Sequence, residues 1–107
     1  MSEKNRRYRK NHPEKNRRID RDWYLRANYG ITLEDYEAML EKQGGTCAIC
    51  ESSIPGGNGA FSVDHCHSTG KVRGLLCRLC NSGLGHFRDS PGLLYRAVEY
   101  LRNHEKH

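Results

Sequence analysis

The chain has 107 residues, of which 36% are hydrophobic and 29% charged, and its formal net charge is +5. A chain this short and polar buries too little apolar surface to be stable by packing alone, so we expect a disulfide or metal cross-link. No apolar run approaches the roughly 20 residues that span a bilayer, which argues against a membrane protein.

The positive charge is concentrated at the N-terminus. Residues 1–30 contain ten Lys or Arg against four Asp or Glu, a balance of +6, whereas residues 31–107 contain eight against nine. This distribution predicts a basic arm over residues 1–30, partly helical or disordered, and a near-neutral domain over residues 31–107. Such an arm can contact the phosphate backbone of a nucleic acid, although a solubilising tail has the same composition.

Within the arm, residues 1–13 show no periodicity, and we expect them to be disordered without a partner. Residues 14–28 predict a helix, because Ile19, Trp23 and Ala27 recur every four residues. We expect this narrow apolar stripe to pack on the domain while cations on the other faces contact DNA. The candidate DNA contacts of this helix are Arg17, Arg18 and Arg21.

A second helix is predicted from Thr32 to about Gln43. Thr32 is a favourable N-cap, acidic residues occupy the first turn where the helix dipole favours anions, and a glycine pair ends the helix. Its expected buried stripe is Leu33, Tyr36 and Leu40.

A β-hairpin is predicted in the middle of the domain. A loop rich in Gly and Pro over residues 51–59 leads into a strand over residues 60–65, in which alternate side chains face the core. A turn over residues 68–71 then leads into a returning strand over residues 72–76.

Two helices are predicted to follow the hairpin. The first runs from Cys77 to about Phe87, and the second begins with Ser90 as N-cap and Pro91 in its first turn. The expected core stripe of the last helix is Leu94, Ala97, Val98 and Leu101.

Four of the five cysteines form two Cys-x-x-Cys pairs separated by 26 residues, and they are Cys47, Cys50, Cys77 and Cys80. Two such pairs are typical of a closed tetrahedral zinc site, and the N-terminus lacks the apolar core of a secretory signal peptide. We therefore predict a cytosolic protein with a structural Zn²⁺ bound by four thiolates. Cys66 is expected to be a small buried core residue.

Acid, imidazole and amide side chains accompany the cysteines. Asp64, His65 and His67 lie at the end of the first strand, and Asn81 directly follows Cys80. A strand-end Asp and an Asn in the first turn of a helix can share one hard divalent cation, while a neighbouring His activates a water.

Four motifs between Tyr29 and Leu101 resemble the recombination endonuclease VII family of HNH, or ββα-metal, nucleases. They are Y-G-I-T-L-E-D-Y-E-A-M-L, G-G-T-C-A-I-C, V-D-H-C-H-S-T-G-K-V-R-G-L-L-C-R-L-C-N-S-G-L-G and L-L-Y-R-A-V-E-Y-L. The resemblance implies an α+β fold, a small zinc-stabilised ββα-metal domain of HNH or treble-clef-like type with flanking helices. It also implies a DNA endonuclease that hydrolyses phosphodiester bonds by nicking or double-strand cleavage, with branched DNA as a candidate substrate.

The resemblance also assigns roles to the polar cluster. Asp64 and Asn81 would bind a catalytic Mg²⁺ or Mn²⁺, and His65 would be the general base. His67 would contact the scissile phosphate or assist the metal site. On the hairpin, Lys71 and Arg73 are candidate phosphate contacts, although ordinary solvated charges fit them equally well.

Two positions depart from the family pattern. Many relatives carry Asp where this chain has Cys66, and the junction-resolving member has a catalytic Glu where this chain has Leu84. The second departure weakens the expectation of junction resolution.

The expected partner is double-stranded DNA. The apolar face of the last helix fits a contact with a second copy of the chain in a homodimer and fits equally well packing on its own domain. The resemblance places such an enzyme in the cytoplasm of a bacterium or phage-infected host cell. A non-catalytic zinc module that binds nucleic acid explains the cysteines and the charge but not the polar cluster. A zinc-stabilised protein-interaction domain is a further alternative, but it does not explain the basic arm.

Overall fold

The computed structural model of the chain describes residues 14–57 and 59–105. The elements, in chain order, are α1 (Glu14–Tyr29), α2 (Leu33–Lys42), β1 (Ser62–His65), β2 (Val72–Leu76), α3 (Arg78–His86) and α4 (Pro91–Asn103). The two strands pair in one sheet. This architecture confirms the predicted α+β class, whereas the disorder expected for residues 1–13 lies outside the described residues.

The chain divides into two compact units. The first comprises Met1–Gly45 and His65–Gly74, and the second comprises Thr46–Asp64 and Leu75–His107. The first unit therefore contains α1, α2 and the turn of the hairpin, while the second contains all four paired cysteines with α3 and α4. The boundary predicted near residue 30 stays a prediction.

Helix α1 forms where the periodicity predicted it, but the predicted packing stripe is wrong. Ile19 and Trp23 are 66% and 69% exposed and Ala27 is also exposed, whereas Leu25 is only 1% exposed. The face that packs on α2 carries Asp22, whose carboxylate accepts a hydrogen bond from the Leu33 N–H of α2, and the buried Leu25 lies about one turn further along α1. An apolar periodicity alone could not reveal a packing face that contains an acid.

The contact between α1 and α2 is built from charged groups. Arg18 donates two hydrogen bonds to the Glu37 carboxylate, at 2.9 and 3.1 Å. The guanidinium of Arg21 lies 4.7 Å from the centroid of the Tyr36 ring, a cation–π contact. These contacts join α1 to α2.

Asp22 joins the two helices through the backbone of α2. Its carboxylate accepts a hydrogen bond from the Leu33 N–H at 2.8 Å and another from Arg26 Nε at 2.7 Å. The Leu33 N–H belongs to the first turn of α2, where no helical carbonyl can accept it. The Leu33 N–H and then Arg26 lower the pKa of Asp22.

Helix α2 begins and ends as predicted. Thr32 caps it and forms a reciprocal capping box with Asp35. Leu33 and Tyr36 are buried, and Leu40 is half-buried. The helix ends at a glycine pair whose second member, Gly45, has φ +75° and donates to the Leu40 carbonyl at 2.9 Å.

The hairpin supplies most of the buried apolar side chains of the second unit. Phe61, Val63, Leu75 and Leu76 are at most 8% exposed. The predicted alternation in β1 is confirmed, because Val63 is buried between two half-buried polar residues. In the first unit the turn closes through a Cys66 N–H bond to the Lys71 carbonyl at 2.8 Å.

Helix α4 has the predicted cap but lacks the predicted buried stripe. The Ser90 hydroxyl accepts from the Leu93 N–H, and Pro91 occupies the first turn. Val98 and Leu101 are 41% and 63% exposed, and no residue of this helix is buried. Its periodicity correctly indicates an amphipathic helix, but periodicity does not specify whether the same chain covers the apolar face. Among the described residues, no helix is long and apolar enough to cross a membrane.

Candidate functional site

The four paired cysteines converge in the second unit. The sulfur atoms of Cys47, Cys50, Cys77 and Cys80 all lie within 4.8 Å of one another. The Cys50 and Cys77 sulfurs are 3.7 Å apart. A tetrahedral site with Zn–S bonds of about 2.3 Å has sulfur–sulfur edges of about 3.8 Å. The cluster therefore has the dimensions and the soft donors that structural zinc requires.

The first cysteine pair lies on a tight turn of the backbone. The Cys47 N–H donates to the Ser52 carbonyl at 2.9 Å, and the Glu51 N–H donates to the Cys47 carbonyl at 3.1 Å. The Ile49 N–H points at the Cys47 sulfur at 3.4 Å. An amide that donates to sulfur favours the thiolate, which is the form that binds metal.

The second cysteine pair lies at the start of α3. Cys77 is the N-cap, and its sulfur accepts from the Cys80 N–H at 3.4 Å. Backbone bonds tie the two pairs together, because Ala48 N–H donates to the Leu75 carbonyl at 3.1 Å and Arg78 N–H donates to the Pro55 carbonyl at 2.8 Å. The insert between the pairs is therefore anchored at both ends of the cluster.

The thiols of the cluster differ in acidity. Burial raises the pKa of Cys47, but backbone N–H groups of Cys50, Cys77 and Ile49 outweigh burial and lower it to about 6. Burial and then the neighbouring thiols raise the pKa of Cys80 to about 12. Four thiolates this close repel one another, so they need a cation in order to ionise together.

Asp64 and His65 are consecutive residues at the end of β1, and both are half-buried. The His65 ring lies 5.1 Å from the exposed His67 ring, centroid to centroid. The structure thus brings the two predicted histidines together in the first unit.

Asn81 lies in the first turn of α3, directly after Cys80, and is half-buried. Its N–H donates to the carbonyl of the N-cap residue Cys77 at 3.0 Å. Two cysteines of the cluster, Cys77 and Cys80, therefore lie in the turn that carries this amide. Asp64 and Asn81 both belong to the second unit, and their joint binding of a cation stays a prediction.

Cys66 is half-buried, which corrects the expectation of a buried core residue. It lies in the first unit and does not belong to the four-cysteine cluster. The Thr69 hydroxyl, followed by the Thr69 and Ser68 backbone, lowers the pKa of its thiol. Cys66 lies at the start of the hairpin turn, where its thiol faces polar groups of Ser68 and Thr69. The apolar core therefore does not enclose it.

The predicted DNA contacts have different surroundings. Arg18 forms an ion pair with Glu37, and Arg21 is half-buried over the Tyr36 ring. The remaining three, Arg17, Lys71 and Arg73, are exposed.

Sequence reasoning missed Tyr29. Its ring lies 5.7 Å from the His65 ring, centroid to centroid, although the two residues are 36 positions apart. The contact depends on how α1 meets the hairpin turn within the first unit, and no local motif encodes it.

Comparison with protein families gives a match to recombination endonuclease VII over residues 22–103. The Gene 59 protein of Mycobacterium phage D29 is 50% identical over 88 residues, which cover 79% of this chain and 53% of that protein. The Gene 59 protein of Mycobacterium phage L5 is 47% identical over 89 residues, which cover 80% and 54%. The chain thus spans about half the length of these curated relatives.

A solved structure is also similar. The crystal structure of the ββα-Me type II restriction endonuclease Hpy99I matches 74% of this chain and 46% of its own chain, with 34% identity and a TM-score of 0.51. The similarity confirms the predicted ββα-metal fold.

Proposed function

The chain belongs to the recombination endonuclease VII family, and from that premise we propose that it is an HNH-type, metal-dependent DNA endonuclease that hydrolyses phosphodiester bonds. One observation carries the proposal. Strand β1 ends in Asp64 and His65, β2 leads directly into a cysteine of the cluster, and Asn81 lies in the first turn of α3. This strand–strand–helix order brings acid, imidazole and amide side chains onto the elements that define a ββα-metal nuclease.

In this proposal the four cysteines hold a structural zinc ion. All four protein ligands are thiolates, so a tetrahedral site has no open position for substrate or water. The cluster instead orders the backbone at the start of α3, including the turn that carries Asn81.

A second, catalytic cation fits the donor chemistry of Asp64 and Asn81. A carboxylate and an amide oxygen are hard ligands suited to Mg²⁺ or Mn²⁺ rather than to zinc. When bound, such a cation stabilises the charge that develops on the phosphate and the leaving oxygen.

His65 is the proposed general base. A neutral imidazole accepts a proton from water at physiological pH, which makes the water a nucleophile toward phosphorus. The exposed His67 ring lies next to His65. In this proposal His67 either contacts the scissile phosphate or assists the metal site.

The proposed substrate is double-stranded DNA, with branched DNA as a further candidate and a nick or a double-strand break as product. Cationic side chains on α1 and the hairpin supply the phosphate contacts in this proposal, and they are Arg17, Arg18, Arg21, Lys71 and Arg73. The exposed apolar residues of α4 are the proposed contact in a homodimer. The proposed place of action is the cytoplasm of a bacterium or of a phage-infected host cell.

The function is tested by incubating supercoiled plasmid with the protein and Mg²⁺ or Mn²⁺, with and without EDTA. We expect metal-dependent nicking that is lost in His65→Ala and retained in His104→Ala, an exposed histidine at the end of α4. DNA binding without cleavage across several divalent metals and DNA structures would instead support the non-catalytic zinc module.

A further inference from the structure

The His65 ring lies between two other aromatic rings. Its centroid is 5.7 Å from that of Tyr29, with an interplanar angle of 52°, and 5.1 Å from that of His67, with an angle of 57°. Both distances fall within the range of about 4.5–7 Å at which aromatic side chains contact one another. Each neighbour therefore restricts how far the His65 ring can rotate.

Tyr29 is itself held in place. It is half-buried, and its ring meets the Tyr24 ring edge-on with a centroid distance of 6.2 Å and an interplanar angle of 70°. Burial and then a hydrogen bond with Tyr24 raise the pKa of the Tyr29 hydroxyl. The Tyr29 ring thus contacts one aromatic ring on its own helix and the imidazole of His65.

The backbone around Tyr29 is also constrained. It is the last residue of α1, and Gly30 follows with φ +71° while its N–H bonds to the Arg26 carbonyl at 3.1 Å. The buried Leu25 and the Asp22 bond to α2 fix the helix four and seven residues earlier. Tyr29 thus projects from a part of α1 whose position is set by packing and capping.

We propose that Tyr29 is a positioning residue for His65, whose ring holds the imidazole in the orientation required for proton transfer. This inference rests on the proposed nuclease function. The orientation of a histidine is commonly fixed by a hydrogen bond from one ring nitrogen. The His65 imidazole instead contacts the rings of Tyr29 and His67. Because a small misplacement of a catalytic group reduces turnover strongly, removal of the Tyr29 ring lowers the chemical rate more than DNA affinity.

The test compares Tyr29→Phe, which keeps the ring, with Tyr29→Leu, which removes it. Trp23→Leu is the matched control, because it removes an aromatic ring that is 69% exposed on the same helix. Single-turnover cleavage with the enzyme in saturating excess over DNA gives the chemical rate, and titration of DNA under multiple-turnover conditions gives the apparent KM. The NMR resonance of the His65 Cε1–H, assigned by its loss in His65→Ala, reports the ring contact without requiring activity.

We expect Tyr29→Leu to lose roughly 10- to 100-fold in single-turnover rate with KM within about twofold of wild type, and Tyr29→Phe to stay within about threefold. The His65 resonance should move in Tyr29→Leu and stay in Tyr29→Phe, because the aromatic ring current is lost only in the first. Trp23→Leu should match wild type in both measurements.

Wild-type cleavage by Tyr29→Leu, or an unmoved His65 resonance, overturns the inference. An equal loss in Tyr29→Phe and Tyr29→Leu also overturns it, because the hydroxyl rather than the ring would then matter. Should Tyr29→Leu lose its cooperative melt, Tyr29→Met repeats the test with another non-aromatic side chain. A wild-type protein that cleaves no DNA refutes the proposed function, and in that case the resonance comparison alone supports or overturns the ring contact.

Discussion

Different interactions stabilise each of the two compact units of this small chain. In the first, charged side chains of α1 bind the start and the exposed side of α2, through Asp22 to the Leu33 N–H and through Arg18 to Glu37. In the second, four sulfur atoms converge beside the buried residues of the hairpin. We therefore expect the stability of the first unit to respond to acid and to single apolar deletions, and the stability of the second unit to depend on a metal ion bound by its cysteines.

The largest effect is expected from breaking the cysteine cluster. Cys47→Ser or Cys80→Ser removes one of four ligands from a site whose apparent zinc-binding free energy is on the order of 10 kcal/mol in comparable small domains. We expect loss of bound zinc by elemental analysis and loss of the cooperative thermal melt. Cys66→Ser, which lies outside the cluster, should keep both. A cooperative melt with full zinc content in Cys47→Ser would refute the proposed structural role.

An intermediate effect is expected from the apolar contact of the first unit. Leu25 is 1% exposed, so Leu25→Ala leaves a cavity and should reduce the free energy of unfolding by about 2–5 kcal/mol. Ile19→Ala, on the same helix but 66% exposed, should change it by less than about 0.5 kcal/mol. Urea unfolding of the two variants measures the difference, and equal losses would show that α1 packs through its other face.

The smallest effect is expected from Asp22 and depends on pH. The Leu33 N–H and Arg26 lower the pKa of Asp22 in the folded protein, so its contribution is complete above the unfolded pKa of about 3.9. That contribution is lost as the pH falls through the lower, folded pKa. Asp22→Asn should therefore lower the melting temperature at neutral pH and flatten its acid dependence below about pH 4.

Glu41→Gln, an exposed change near the end of α2, is the control for Asp22→Asn. It removes one negative charge without removing the bond to Leu33. Parallel acid profiles for wild type and Asp22→Asn would contradict the capping role of this carboxylate.

The second unit was more predictable from the sequence than the first. Ligand chemistry restricts two Cys-x-x-Cys pairs to few arrangements, and the predicted cluster forms from all four residues. The caps at Thr32 and Ser90 were also predictable, because their hydroxyls act on N–H groups two or three residues away.

Contacts that depend on tertiary packing were not predictable. The Asp22 carboxylate caps a neighbouring helix through a backbone N–H, which has no side-chain signature in the sequence. For the same reason, the apolar periodicity predicts that Ile19 and Trp23 pack on the domain, whereas both side chains are exposed and Leu25 is buried instead. The contact between Tyr29 and His65 joins residues far apart in sequence. The shared cation of Asp64 and Asn81 stays a prediction, because it depends on an ion as well as on the fold.

The most direct test of the central proposal is the rate of plasmid nicking measured against Mn²⁺ concentration for wild type, Asp64→Asn and His65→Ala, with zinc content determined on the same samples. We expect saturable nicking by wild type, a higher Mn²⁺ requirement for Asp64→Asn, and no nicking by His65→Ala at any Mn²⁺ concentration, with zinc content unchanged in all three. Nicking by His65→Ala at the wild-type rate would contradict the proposal.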